Sequence, residues 1–170
     1  ACGDDDGDDT GGGDGGTETT EGDGGEEPAS DIRVGMVYDI GGRGDQSFND
    51  AAFAGLSQAA DELGIEVEDL EPAAGGEDRG ELLRLLADEG YDLVIGVGFA
   101  FEEELVAAAA DYPDTMFAIV DAAPEADNIM GLVFAEEQGS FLVGAAAALT
   151  SETGQIGFIG GVEIELIQKF

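Results

Sequence analysis

Residues 32–38 read Ile32-Arg33-Val34-Gly35-Met36-Val37-Tyr38 and run directly into Asp39-Ile40-Gly41-Gly42-Arg43-Gly44-Asp45-Gln46 and then Ser47-Phe48-Asn49. The first seven are mostly apolar, with β-branched and aromatic types among them, which predicts a short buried strand ending at Asp39. A glycine-rich turn follows. Over 47–63 the apolar positions Phe48, Ala52, Phe53, Leu56, Ala59, Ala60 and Leu63 recur at spacings of three and four, and Gly64 supplies a stop. That spacing predicts an amphipathic helix.

Outward from this unit the pattern repeats. Strands are predicted at 65–70, 92–97, 115–120, 129–134 and 155–159, and helices at about 78–89, 101–111 and 137–150, with another helix beginning near 163. Near-continuous apolar strands alternating with amphipathic helices indicate an α/β fold, a parallel sheet with helices on both faces. In such sheets ligands sit beyond the carboxyl ends of the strands. Those loops hold the run from Asp39 to Asn49 after the first strand, Gly98-Phe99-Ala100-Phe101 after the third, and Asp121-Ala122 after the fourth.

The composition narrows what these loops can do. The chain has 170 residues, with 40 acids against five basic residues, no His, one Cys and a formal charge of −35. Such a charge repels phosphate backbones and anionic lipid, so no nucleic acid is expected as a partner. Without His there is neither a Ser-His-Asp triad nor a His-ligated metal, and one Cys forbids an intrachain disulfide or a four-thiolate zinc site. No metal or cofactor is expected.

Eleven acids and ten glycines fall in residues 1–30 with no basic residue, which predicts a disordered, self-repelling tether. The remaining 29 acids and all five basic residues belong to 31–170, an imbalance that suits a protein dissolved in concentrated salt, where charges are screened over about 3 Å. A halophilic source is the expectation; the plainer alternative is an acidic protein of no special habitat. Ala1-Cys2-Gly3 before a polar stalk has the form of a lipoprotein after signal-peptide removal, with Cys2 as the lipid anchor; a stray thiol is the alternative. The longest apolar run, 141–149, is nine residues, against roughly 18 for a membrane span, so attachment is expected through Cys2 alone, at the extracellular face of the cell membrane. The abrupt end at Phe170 is read as a truncation.

The first loop is not a phosphate cradle by sequence. It lacks the Lys-Ser/Thr of a Walker loop and the third glycine of the dinucleotide fingerprint, and Asp39 and Asp45 would oppose an anion. Two carboxylates, the Asn49 amide, the Ser47 hydroxyl and the Phe48 ring suit a neutral polyhydroxy or heteroaromatic ligand. Each has a structural alternative. Ser47 could be the N-cap of its helix with Asp50 completing a capping box, Phe48 a staple or core residue, and Asp39 and Asp121 simple turn residues. Of Phe99 and Phe101, one is expected to pack inward and the other to line a cleft.

The run Val34-Gly35-Met36-Val37-Tyr38-Asp39-Ile40-Gly41-Gly42, then Asp45-Gln46-Ser47-Phe48-Asn49 and Gly55-Leu56, resembles the opening of the basic-membrane-protein family of substrate-binding lipoproteins, whose members include purine-nucleoside receptors. Asp92-Leu93-Val94-Ile95-Gly96-Val97-Gly98-Phe99, Phe117-Ala118-Ile119-Val120-Asp121, Glu137-Gln138-Gly139-Ser140-Phe141-Leu142-Val143-Gly144 and Gly157-Phe158-Ile159-Gly160-Gly161 continue the likeness in order.

The resemblance implies a type I periplasmic-binding-protein fold: two α/β lobes closing on a ligand that is handed to an ABC permease, without catalysis. It assigns 31–134 to the first lobe and 135–170 to the start of the second. It further implies that Phe48 stacks on a nucleobase, Asn49 makes a polar contact, Asp39 faces the cleft, and Asp121 lies near the base edge. Ser47, Gly98 and Phe99 complete the candidate set, while a second aromatic and the ribose-binding acid and lysine would lie beyond Phe170. A ligand sensor acting on a signalling partner, or an importer of another small polar metabolite, remain open as alternatives.

Overall fold

The computed structural model describes residues 31–170. The expected tether at 1–30 and the Cys2 anchor lie outside the described residues. Eleven elements follow in order: β1 (Arg33–Val37), α1 (Phe48–Leu63), β2 (Glu66–Leu70), α2 (Arg79–Asp88), β3 (Leu93–Gly96), a 3₁₀ turn (Phe99–Phe101), α3 (Glu102–Asp111), β4 (Met116–Val120), β5 (Ile129–Leu132), α4 (Glu136–Thr150) and α5 (Glu165–Gln168).

All five strands form one parallel sheet in the order β2-β1-β3-β4-β5. Alternate side chains leave opposite faces, and here both faces are apolar over the sheet's centre. Val34, Met36, Tyr38 and Val97 meet Leu56, Ala52 and Phe53 of α1 on one face. Val37, Val94, Phe117 and Ile119 meet Leu83 and Leu86 of α2 and Leu105 and Ala108 of α3 on the other. The expected two-sided α/β architecture is therefore present.

Two glycines let helices approach this sheet. A Cβ on Gly35 would stand 2.8 Å from Leu86 Cδ1, and one on Gly96 would stand 3.0 Å from Phe101 Cγ, so the bare backbone there is what seats α2 and the 3₁₀ turn. α1 ends as its sequence predicts: Gly64 adopts a left-handed conformation and donates its N–H to the Ala60 carbonyl.

One predicted element is absent. Residues 155–159 form no strand, because a strand needs a neighbour for its ladder and none among the described residues pairs with it. Ile156, Phe158 and Ile159 stand exposed instead, as do Phe141, Leu142, Val143 and Leu149 of α4. β5 also stops at Leu132, short of the predicted 134.

Candidate functional site

Within this sheet order the chain reverses direction at β1. The connection to β2 runs over one face and that from β2 to β3 over the other, so the loops after β1 and β3 splay apart and leave a crevice. A hollow of about 190 Å³ occupies that crevice, lined by Asp39, Asp45, Phe48, Asn49, Gly98, Phe99 and Asp121 among others. A second, of about 400 Å³, shares Phe48, Phe99 and Asp121 and continues to Phe134, Glu136, Leu166, Ile167 and Phe170. Every expected site residue among the described residues except Ser47 lines the first hollow.

The loop from 39 to 47 is held in shape by its own acids. Asp45 accepts from the backbone N–H of Ser47 (2.9 Å), Asn49 (3.0 Å) and Asp50 (3.1 Å). Asp50 reaches back to accept from Gly44 (2.7 Å) and Gln46 (2.9 Å). This corrects the capping expectation: Ser47 occupies the N-cap position with no side-chain cap bond, and Asp45 does the capping. It also gives the physical reason a phosphate is unsuited here, since the donors it would need are already taken by carboxylates. Desolvation raises the Asp45 carboxyl, but the N–H groups of Ser47, Asn49 and Asp50 outweigh it and hold Asp45 below the ordinary carboxylate value. Arg43 pins the loop's outer edge. Its N–H donates to Glu71 (3.0 Å), its guanidinium pairs with Asp69 (3.2 Å), and it lies 3.8 Å over the Phe53 ring.

The aromatic pair is set by position on two elements. Phe48 is the first residue of α1 and 54% exposed, so it is a cleft residue and neither staple nor core. Phe99 opens the 3₁₀ turn on the cleft side, while Phe101 is fully buried beneath the sheet. The alternation expected for this pair is what the structure has.

Asn49 differs from its expected role. It is buried, its Oδ1 accepts from the Asp39 N–H (3.0 Å) and its Nδ2 donates to the Asp39 carbonyl (3.4 Å). It therefore fixes the end of β1 and leaves one amide hydrogen and a lone pair at most for a ligand. Asp39 is half-buried, and its Oδ1 accepts from Arg79 Nη2 at 2.6 Å. Gly98, at φ 110°, makes room for it: a Cβ there would stand 3.3 Å from Asp39 Oδ2. Asp121 adopts a left-handed backbone, φ 66°, which Asp tolerates, and its N–H donates to Leu132 (2.9 Å). Burial first and the charge of Glu136 second push the Asp121 carboxyl up.

Arg79, Glu136 and the second aromatic group of Phe134 and Phe170 went unread in the sequence. Arg79 had a faint signal: a cation in the first turn of a helix opposes the helix dipole and calls for a partner elsewhere.

The fold and crevice define a non-covalent binding lobe of the kind found in solute-binding proteins: aromatic faces and carboxylates, gathered at the carboxyl ends of parallel strands. The chain belongs to the PnrA-like family of ABC transporter substrate-binding proteins, the Bmp family, whose model matches residues 32–170. It is 37% identical over 145 residues to an uncharacterized lipoprotein of Pyrococcus furiosus, covering 82% of this chain and 36% of the relative. It is 31% identical over 150 residues to the ABC transporter nucleoside-binding protein BmpA of Lactococcus lactis, covering 83% and 41%. A solved ABC transporter solute-binding protein from Aeropyrum pernix K1 superposes with a TM-score of 0.70 at 35% identity, covering 81% of this chain and 40% of that one. The chain thus spans about two fifths of the length of the relatives it matches.

Proposed function

We propose that this chain forms the first lobe, 31–134, and the start of the second, 135–170, of a receptor that delivers a nucleoside, of the purine class, to an ABC permease. The observation that carries the reading is the crevice itself. Two aromatic side chains, Phe48 and Phe99, and two carboxylates, Asp39 and Asp121, line one hollow at the carboxyl ends of β1, β3 and β4. Rings stack a flat base, carboxylates accept from N–H and O–H groups, and nothing in the set is arranged to break a bond. The name of the Lactococcus lactis relative supports a nucleoside as the cargo.

Import would work by hinge closure. Ligand held on this lobe favours the closed form because the second lobe adds contacts only there, and the permease reads that form. Lipid on Cys2 would keep the receptor beside its permease, in keeping with relatives named as lipoproteins. Among the described residues no helix is long and apolar enough to cross a membrane.

Titration calorimetry of the full-length protein in molar salt tests the reading. Inosine, guanosine or adenosine should bind without turnover, and Phe48→Ala should weaken binding by ~1–3 kcal/mol, the worth of one base stacked on an aromatic side chain. Unchanged affinity in the variant removes Phe48 from the site.

A further inference from the structure

Glu136 is a buried acid that the nucleoside site described above leaves unused. It is the first residue of α4, its side chain is 5% exposed, and neither carboxylate oxygen has a hydrogen-bond partner among the described residues. Lys169 Nζ stands 3.7 Å from Oε2, within ion-pair range but too far for a hydrogen bond. Buried acceptors are ordinarily satisfied, and a buried carboxylate left without donors is costly. The side chain lines the larger hollow of about 400 Å³ together with Phe48, Phe99 and Asp121. Its charge is also felt by Asp121, whose carboxyl it helps to push up.

We infer that Glu136 and Asp121 form a two-carboxylate acceptor that selects a guanine-type base edge. The inference rests on the nucleoside reading and adds to it the choice among bases. Stacking on Phe48 and Phe99 is blind to base identity, because every base has a π face. Edge acceptors are not. Guanine carries three N–H hydrogens side by side, one on N1 and two on N2, so one carboxylate can take N1–H with one N2–H and the other carboxylate the remaining N2–H. Hypoxanthine offers only N1–H and leaves one carboxylate without a donor. Adenine has two hydrogens on N6 but turns the N1 lone pair toward the acids. A site built to receive N–H groups rejects ligands lacking them, because its own buried acceptors are then left unpaired.

The test is a binding series with guanosine, inosine and adenosine on the full-length protein, wild type and Glu136→Gln, with the thermal midpoint of each ligand-free protein. Wild type should prefer guanosine over inosine, and inosine over adenosine, the first step by at least ~10-fold. Glu136→Gln should lose ~10-fold or more for guanosine, change adenosine far less, and melt no lower than wild type without ligand, because the change removes a buried charge whose oxygens have no hydrogen-bond donor and whose ion pair with the half-exposed Lys169 is long. A purely structural Glu136 would give the opposite: a lower midpoint and the same loss for all three nucleosides. That outcome overturns the inference, as does a wild type that binds adenosine as tightly as guanosine, which needs no variant. In both cases nucleoside binding persists and the proposed function stands. A wild type that binds no nucleoside removes both.

Discussion

Replacing Arg79 by Leu isolates the contact that aims Asp39. The guanidinium donates to Asp39 Oδ1 at 2.6 Å, its side chain is 13% exposed against 38% for Asp39, and it sits 5.4 Å from the centre of the Phe101 ring. Fully exposed pairs are worth about 0.2–1 kcal/mol, and breaking a fully buried pair costs about 3–5 kcal/mol. With one partner nearly buried and the other more than a third exposed, Arg79→Leu should cost about 1–3 kcal/mol of folding stability. A double-mutant cycle with Asp39→Asn, read by denaturant unfolding at low and at molar salt, separates the pair from each residue's own packing. The coupling should be about 1–2 kcal/mol and survive much of the increase in salt, because a contact shielded by Phe101 is screened less than a surface pair. Coupling of a few tenths of a kcal/mol, or one that vanishes in molar salt, would refute the claim that Arg79 holds Asp39 at the crevice.

Two further outcomes follow from the site's backbone and charge. Gly98→Ala should destabilise by about 1–3 kcal/mol, since φ 110° is a region that residues with a Cβ rarely adopt, and should weaken ligand binding as well, because the new methyl crowds Asp39; denaturant unfolding and titration calorimetry report the two effects. Asp121→Asn should raise the thermal midpoint at neutral pH while weakening nucleoside binding. Burial and Glu136 disfavour the ionised Asp121 in the folded state, so its cost to stability appears as pH rises from the ordinary value of 3.8 through the raised one, and the variant's gain should fade as pH falls below 3.8. A melting profile in which the gain is the same at every pH removes the charge as its source.

Much of the crevice was legible because local chemistry decides it. Strand ends are marked by Asp39 and Asp121, and the residue that begins α1 must stand where the loop meets the helix, which puts Phe48 at the mouth. That one of Phe99 and Phe101 turns inward and the other lines the crevice also follows from their spacing across one short turn, whereas only the fold decides that Phe101 is the buried one. Ser47 takes the N-cap position, one of the two readings open for it, but Ser47 and Asp45 are both good cap acceptors, and only the loop's three-dimensional path shows that Asp45 faces the free N–H groups.

The alternation of apolar strands and amphipathic helices was enough by itself to determine a parallel α/β sheet and the end of it where a ligand would sit, because burying both faces of a strand demands that pattern. The tertiary structure alone decided how the polar groups were shared out. It brought Arg79 across forty positions to Asp39, turned the Asn49 amide onto the backbone of β1, and left Glu136 buried without a donor. It also left 155–159 without a strand partner among the described residues. Those outcomes depend on which distant groups meet once the chain has reversed, and hydrogen bonds and charges, unlike apolar burial, are satisfied only by a particular partner at a particular distance.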